Sequence, residues 1–274
     1  MQLPTLGIPA PTRPQAPTRL NLQVPKGIAA RDGTVVLADV GLRQLLRLDH
    51  ARDNITPLAS LAPGTGPALH LAADGSVWLV ESASGLVRQM DRNGRVIRSW
   101  QDDRFASRPV AVSTLVDSGG DVFVADGSLS HVAVFDAFGK VIRRFGQGQL
   151  QSVVAMTSGP LGLYVLDRLA QQVMVFDRNG RALMSMGDSE LVFPFALAVD
   201  AAGRVFVADE TDGAIHVFVD GERVARFKGD GVARFARIEA LAVDGNLLYV
   251  TDGVSAQIQI LLISPESLRR PSRP

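Results

Sequence analysis

The chain has 274 residues, of which 46% are hydrophobic, with 28 basic and 28 acidic side chains and no Cys. Such a chain can bury a large core, and the lack of Cys excludes disulfides and thiolate chemistry. A formal net charge of zero gives no overall field to attract nucleic acid or an anionic membrane. No apolar run approaches the roughly 18 residues that a spanning helix needs. We therefore expect no nucleic-acid partner and no membrane span.

The two ends of the chain differ in composition from the rest. Residues 1–17 contain five prolines and few large apolar residues, which predicts an extended Pro-rich N-terminal linker. The same composition fits a stalk left after removal of a secretion or lipoprotein leader. A lipid tether through a removed N-terminus is therefore one alternative. An extracytoplasmic (periplasmic or lipoprotein-tethered) location is slightly favoured over a cytoplasmic one. Residues 265–274 are predicted to be a short basic C-terminal tail.

One strand-like motif recurs along the chain at a nearly constant spacing. Each copy is a short apolar run closed by an acid, and the closing acids are Asp39, Glu81, Asp126, Asp167, Asp209 and Asp252. Successive acids are 42, 45, 41, 42 and 43 residues apart. A period of about 40–45 residues with four short strands per unit is typical of a β-propeller.

The sixth unit has no fourth strand after residues 257–263, whereas residues 19–24 alternate apolar and polar side chains and have no hairpin partner nearby. An unpaired sheet edge promotes aggregation, so we expect these two segments to pair. The sequence thus predicts an all-β fold at residues 18–264. It is a six-bladed β-propeller of four-stranded antiparallel blades in which an N-terminal strand closes the last blade.

The unit at residues 194–220 reads Pro-x-Ala-Leu-Ala-Val-Asp, then Gly-x-Val-Phe-Val-Ala-Asp, then Ile-x-Val-Phe. It resembles the NHL-repeat consensus, and the resemblance covers about residues 19–263. Proteins related in this way include RNA- and protein-binding modules, peptide-amidating lyases, streptogramin lyases and lactonase-type enzymes, so the resemblance implies the fold more than the function. The family's Asn-His-Arg at the start of the third strand is missing here, which disfavours a nucleic-acid surface.

The six acids at one repeat position allow two interpretations. A ring of carboxylates could bind cations, or each acid could accept hydrogen bonds from the backbone of the loop that it begins. We favour the structural interpretation because every blade faces the same packing problem.

Residues that break the repeat are better candidates for a site. Aligned on the ends of the inner strands, His70 stands where the other blades carry Gly27, Ala111, Ala155, Ala196 and Ala240. It is expected to be a hydrogen-bonded structural residue, with a base, a ligand or a pH-sensitive group as alternatives. At the preceding position Lys26 and Glu239 fall on neighbouring blades. We predict an ion pair that locks the ring or, as a second alternative, part of a polar pocket.

The inventory of reactive side chains disfavours an enzyme. A catalytic zinc needs about three converging protein ligands, and of the four His residues only His70 falls on an inner strand. Lactonase-type relatives hold a divalent cation with carboxylates and Asn, whereas Glu239 is the one candidate at the aligned positions here. No Ser-His-Asp set can be assembled from the spacing. The sequence therefore predicts no catalytic residue, no bound metal and no cofactor.

Binding is the function that remains. The loops between second and third strands and between blades vary from unit to unit, and variable loops on a rigid scaffold often carry recognition. We predict a non-enzymatic binding or assembly module that recognises a protein or peptide partner, within a larger assembly or alone. Its candidate binding residues are Lys26, Arg43, His70, Arg168, Glu210, Asp212 and Glu239. The alternative is a propeller lyase or lactonase-type hydrolase with a minimal site around His70 and Glu239.

Overall fold

A computed structural model describes residues 21–49, 54–62, 67–82, 84–101, 109–114, 120–229 and 234–263. All regular elements in these ranges are β-strands, and they form six antiparallel sheets, in each of which neighbouring strands follow one another in the chain. The first strand of each sheet lies beside the first strands of the two adjacent sheets, and the sixth sheet returns to the first. The predicted six-bladed propeller is therefore confirmed.

Blades 1 to 3 have four strands each. Blade 1 consists of β1 (Pro25–Arg31), β2 (Thr34–Asp39), β3 (Gln44–Asp49) and β4 (Asn54–Ser60). Blade 2 consists of β5 (Pro67–Leu71), β6 (Val77–Glu81), β7 (Leu86–Met90) and β8 (Val96–Gln101). Blade 3 consists of β9 (Pro109–Thr114), β10 (Val122–Asp126), β11 (His131–Phe135) and β12 (Val141–Phe145).

Blades 4 and 5 also have four strands, and blade 6 has three among the described residues. Blade 4 consists of β13 (Val153–Gly159), β14 (Gly162–Asp167), β15 (Gln172–Phe176) and β16 (Ala182–Met186). Blade 5 consists of β17 (Pro194–Val199), β18 (Val205–Asp209), β19 (Ala214–Val219) and β20 (Glu222–Phe227). Blade 6 consists of β21 (Ile238–Asp244), β22 (Leu247–Asp252) and β23 (Gln257–Leu262).

The predicted N-terminal strand needs a correction, because residues 21–24 are not in a strand. The backbone N–H groups of Gln23 and Val24 donate to the Asp39 carboxylate at 2.7 and 3.0 Å. The backbone before blade 4 makes the same bonds to the acid of its own blade. Residues 22–24 are therefore the connection that enters blade 1. Residues 19 and 20, the Pro-rich segment 1–17 and the tail 265–274 lie outside the described residues.

The core lies between blades, where large side chains of the second strands fill the space beside the next sheet. Phe123, Tyr164, Phe206 and Tyr249 occupy one repeat position and are almost completely buried. Full burial of one such ring contributes about 2–3 kcal/mol. The repeated hydrophobic position thus explains why six similar sheets close into a ring.

The propeller has two unlike faces. The loop face carries the connections from second to third strands and from each blade to the next. The hairpin face carries the turns from first to second strands and from third to fourth strands. We call each turn of the second kind, together with the fourth strand that follows it, an outer hairpin. The outer hairpins of blades 2 to 4 cover residues 91–101, 136–145 and 177–186.

Candidate functional site

The ring of acids at the ends of the second strands is part of the scaffold. The buried Asp167 carboxylate accepts hydrogen bonds from the backbone N–H groups of Gln151 at 2.5 Å and Ser152 at 3.0 Å, before its blade. It also accepts one from the N–H of Ala170 at 3.0 Å, in the loop that it begins. This one carboxylate provides acceptors for backbone N–H groups of two loops on the loop face and thereby joins the loops.

The same arrangement recurs around the ring. Backbone N–H groups in the loop that follows the strand donate to the carboxylates of Asp39, Asp126, Asp209 and Asp252. Those of Asp39, Asp209 and Asp252 also accept from the preceding connection. Glu81 differs, because its carboxylate pairs with Arg88 at 3.0 Å. The structural interpretation of the ring is confirmed for the five aspartates, and the bonds to the preceding connection are an addition that spacing did not predict.

His70 lies on the inner strand of blade 2, but the sequence alignment placed it two positions away from its true repeat position. In the structure His70 pairs across the sheet with Trp78. Its equivalents are therefore Ala29, Ser113, Thr157, Ala198 and Ala242, which pair with the matching residues of the other second strands. Ala68 occupies the small position at which His70 was predicted. The difference arises because the alignment took Asp74 as the end of the inner strand. Ala72 is the true equivalent of Asp200, since its backbone N–H donates to the Ser76 carbonyl as that of Asp200 donates to the Arg204 carbonyl, and Asp74 lies two residues further on, in the turn.

The His70 ring is buried and hydrogen-bonded to the next blade. Its Nε2 lies 2.8 Å from the Thr114 hydroxyl oxygen and 3.2 Å from the Thr114 backbone nitrogen. Burial lowers the pKa of His70 to about 3, and the positive charge of Arg31 acts in the same direction. A histidine with that pKa is a weak base at neutral pH. The arrangement fits the structural role expected for His70 better than a catalytic one.

A cavity of about 790 Å³ opens on the hairpin face at the centre of the ring. Its walls are the last residues of the inner strands, with His70, Thr114, Thr157 and Ser158 among the polar groups and Arg31 at its margin. Glu239 does not line this cavity. The predicted minimal site around His70 and Glu239 is therefore not assembled.

Lys26 and Glu239 form the predicted ion pair, with the Lys26 Nζ 3.6 Å from a Glu239 carboxylate oxygen. The other carboxylate oxygen lies 2.5 Å from the Arg237 guanidinium. Glu239 thus links the start of the blade 1 inner strand to the connection before blade 6. These contacts agree with the lock between neighbouring blades that the sequence predicted.

Arg168 and Glu210 both contact Phe193 on the loop face. The Arg168 guanidinium stacks 4.6 Å from the centroid of the Phe193 ring, and its Nε donates to the Pro194 carbonyl at 3.3 Å. The Glu210 backbone N–H donates to the Phe193 carbonyl at 3.1 Å. The structure therefore brings Arg168 against an aromatic ring that the sequence did not indicate, and it connects Glu210 to the same residue through the backbone.

The remaining two predicted residues lie apart from this group. Arg43 occupies a left-handed turn with φ 56° in the blade 1 loop. The Asp212 carboxylate accepts hydrogen bonds from Arg226 and contacts His216 Nε2 at 3.1 Å. Burial lowers the pKa of His216, while the charge of Asp212 opposes the shift. Asp212 is therefore committed to contacts within blade 5.

Exposed apolar side chains mark the loop face of blades 3 to 5. They are Leu129, Leu169, Val192 and Phe193, which we call the loop-face patch. Leu169 follows Arg168 and is 68% exposed, and Gln171 Nε2 ties its loop to the Val192 carbonyl at 2.9 Å. These residues could not be predicted as a binding surface, because the sequence does not show whether a Leu or Phe in a loop is buried.

Within the described part of the chain, no group of three His, Asp or Glu side chains is arranged to hold a metal ion. Four aspartates line the central cavity, and all of them have partners. Asp200 pairs with Arg204, and Asp244 accepts hydrogen bonds from the backbone N–H groups of Asp32 and Gly33. The Asp32 carboxylate lies 3.7 Å from Arg31, and that of Asp177 accepts bonds within its own turn. The donor set therefore does not fit the cation site implied by lactonase-type relatives. The described residues also contain no helix that could cross a membrane.

Comparison with solved structures supports the fold. A streptogramin B lyase superposes with a TM-score of 0.64 at 16% identity, covering 91% of this chain and 86% of that one. A gluconolactonase from Xanthomonas campestris superposes with a TM-score of 0.68 at 15% identity, covering 89% and 87%. A virginiamycin B lyase from Staphylococcus aureus gives 0.64 at 16%, covering 92% and 88%.

No protein-family model and no curated protein sequence matches the chain. The resemblance to the NHL repeat is therefore supported as far as a six-bladed propeller. At such low identity the likeness to lyases and a lactonase concerns the fold alone.

Proposed function

We propose that this protein is a non-enzymatic binding module whose loop face recognises a protein or peptide partner. The observation that carries the proposal is the loop-face patch of Leu129, Leu169, Val192 and Phe193, whose large apolar side chains lie exposed on adjacent blades. Exposed apolar clusters on a soluble scaffold mark surfaces that bury against another molecule.

Hydrogen bonds to aspartates hold the loops of the patch in place before any partner binds, and this favours recognition. The carboxylates of Asp126, Asp167 and Asp209 fix the loops that carry Leu129 and Leu169 and the connection that carries Phe193. Binding to preorganised loops costs less conformational entropy than binding to loops that must first be ordered. Arg168 and Glu210 at its border provide charges of both signs for orientation.

The enzymatic alternative has less support. Burial lowers the pKa of the His70 ring to about 3. The Glu239 carboxylate is paired with Lys26 and Arg237 and lies outside the cavity that His70 lines. A lyase or hydrolase would need a group able to stabilise developing negative charge next to a base. His70 and Glu239, the two residues that this alternative names, do not form such a pair, since only His70 lines the cavity.

A photo-crosslinking amino acid at position 169 tests the proposal in cells that express the protein. We expect a discrete adduct with another polypeptide, and loss of that adduct when Phe193→Ser is added. The same probe at Asn179, on the hairpin face of the same blade, serves as the matched control and should not give this adduct. No adduct at position 169, or the same adduct from both positions, would contradict the proposal.

A second arm addresses the alternative directly. Purified protein and the His70→Ala variant are tested with lactone and streptogramin substrates, and we expect no turnover by either. Turnover that disappears in His70→Ala would establish the enzyme alternative instead.

A further inference from the structure

The chain carries no net charge, yet the structure concentrates basic side chains on one sector of the propeller. The outer hairpins of blades 2 to 4, between residues 91 and 186, contain eight basic side chains and three acidic ones. The basic residues are Arg92, Arg95, Arg98, Lys140, Arg143, Arg144, Arg178 and Arg181. The outer hairpin of blade 5, residues 220–227, has two of each sign. We call the outer hairpins of blades 2 to 4 the basic rim.

The three acids of the rim point into their own turns. The Asp136 carboxylate accepts hydrogen bonds from the backbone N–H groups of Phe138 and Lys140, both at 2.9 Å. Asp91 and Asp177 accept equivalent bonds in the turns of blades 2 and 4. The acids thus stabilise the turns, while Arg92, Arg95, Lys140, Arg144, Arg178 and Arg181 are exposed.

The three hairpins form one continuous surface because the turns of blades 3 and 4 are each bonded to the fourth strand of the preceding blade. Arg98 of β8 donates to the Ala137 carbonyl in the blade 3 turn. Arg143 of β12 donates to the Arg178 carbonyl in the blade 4 turn at 2.6 Å. A side chain in place of Gly139, which has φ +80°, would approach Trp100 to 3.3 Å. The blade 3 turn therefore rests directly on blade 2.

Exposed apolar side chains lie among these charges. Phe138 is 96% exposed at the tip of the blade 3 turn, and Val96, Ile97, Ile142 and Leu183 are exposed on the adjoining strands. The corresponding turn positions of blades 2 and 4 carry Asn93 and Asn179. The turn itself therefore does not require an aromatic residue, and holding the Phe138 ring in water gains nothing for folding.

From this arrangement we propose that the basic rim docks on an anionic lipid bilayer. Arg and Lys side chains next to a membrane are attracted to its negative surface potential, and an exposed Phe between them enters the boundary of headgroups and acyl chains. Aliphatic side chains such as Ile97 and Ile142 favour a lipid surface over nucleic acid, which would use aromatic rings for stacking on bases. The surface is separate from the loop-face patch, so a protein partner and a bilayer can bind together.

The test measures binding of the purified full chain to phosphatidylcholine vesicles with and without phosphatidylserine. We expect at least about tenfold tighter binding to the anionic vesicles, weakened several-fold by high salt because salt screens exposed charges. Equal binding to both compositions, or no binding to either, would overturn the proposal. Binding to duplex or single-stranded oligonucleotides without binding to vesicles would also overturn it, in favour of a nucleic-acid partner.

Two variants separate the roles of the ring and the charges. Phe138→Asn restores the residue found in the neighbouring turns and should keep the melting temperature while weakening vesicle binding about tenfold. The triple variant Arg95→Gln, Lys140→Gln, Arg181→Gln should weaken it by about tenfold or more. Leu169→Asn on the loop face is the matched apolar control and should bind vesicles like the unaltered protein. Full vesicle binding by both rim variants would refute the assignment of this surface.

Discussion

The loop-face patch and the basic rim share one kind of support but display different side chains. On both surfaces an aspartate accepts backbone hydrogen bonds and fixes a turn, as Asp167 does on the loop face and Asp136 on the rim. The residues on display are those that depart from the repeat, such as Leu169 on one surface and Phe138 on the other. In a repeat protein, therefore, the recurring residues build the scaffold and the departures indicate where it can bind.

The aspartate Asp167 on the loop face is more deeply buried than Asp177 on the rim. This difference predicts the largest effect on stability. Asp167→Ala leaves three backbone N–H groups without their carboxylate, two of them in the connection between blades. Each of these three bonds to a buried carboxylate contributes about 1 kcal/mol or more, so we expect a loss of roughly 3 kcal/mol or more in unfolding free energy. Asp177→Ala frees two donors in a turn at the solvent and should cost about 1 kcal/mol. Urea unfolding of the two variants measures the difference, and equal losses would contradict this ranking.

The role of Asp167, the more deeply buried anchor, could be predicted from the sequence, whereas the exposed residues around it could not. The period of the acids predicted six blades and the structural role of Asp167, because a fixed spacing repeats the same packing problem. The positions of Leu169 and Phe193 could not be predicted, since exposure of a loop residue depends on how neighbouring blades meet. His70 was assigned to the wrong repeat position because Asp74 was taken as the end of its strand, whereas Asp74 lies in the turn, and spacing alone does not show where a strand ends.

The buried His70 at the centre of the ring provides a test of whether the loop-face patch and the basic rim depend on the central cavity. Burial lowers the pKa of His70 to about 3, with Arg31 acting in the same direction and Asp74 against it. The unfolded chain therefore takes up a proton at His70 below about pH 6.5 while the folded chain stays neutral. Stability is present in full above that pH and falls as the pH drops towards 3, by up to about 1.4 kcal/mol per pH unit.

His70→Gln should remove this contribution. Urea unfolding at pH 7 and pH 5 is expected to show a steeper loss for the unaltered protein than for the variant. Parallel losses would mean that His70 is protonated in the folded state. Because His70 belongs to neither surface, the variant should retain vesicle binding and the crosslinked adduct at pH 7.

A smaller effect is expected on the border of the loop-face patch. Arg168→Met keeps the length of the side chain but removes the stacked charge over Phe193 and the bond to the Pro194 carbonyl. We expect a loss of about 1 kcal/mol in unfolding free energy and weaker formation of the position 169 adduct. Glu210→Gln removes a charge whose carboxylate has no such role and should change stability by a few tenths of a kcal/mol. A smaller effect for Arg168→Met than for Glu210→Gln would contradict the anchoring role of Arg168.

The smallest effect concerns Lys26 and Glu239, where the loop face crosses from the last blade to the first. Their charged groups are 3.6 Å apart, and the Lys26 side chain is 39% exposed, so solvent screens much of the attraction. Lys26→Met leaves Glu239 its contact with Arg237 at 2.5 Å, which limits the cost of the single change. A double-mutant cycle with Glu239→Gln should give a coupling energy of about 0.5 kcal/mol.

The control cycle combines Arg43→Met with Glu239→Gln, two side chains that share no ion pair or hydrogen bond in the described part of the chain, and should be additive within about 0.3 kcal/mol. Coupling in the control but not in the Lys26 cycle would place the contact across the ring closure elsewhere. Coupling in the Lys26 cycle alone would mean that this ion pair contributes to closing the propeller. The loop-face patch and the basic rim lie on blades 2 to 5 and do not span this closure. Both surfaces would then rest on a ring closed in part by a contact that the sequence predicted from two residues 213 positions apart.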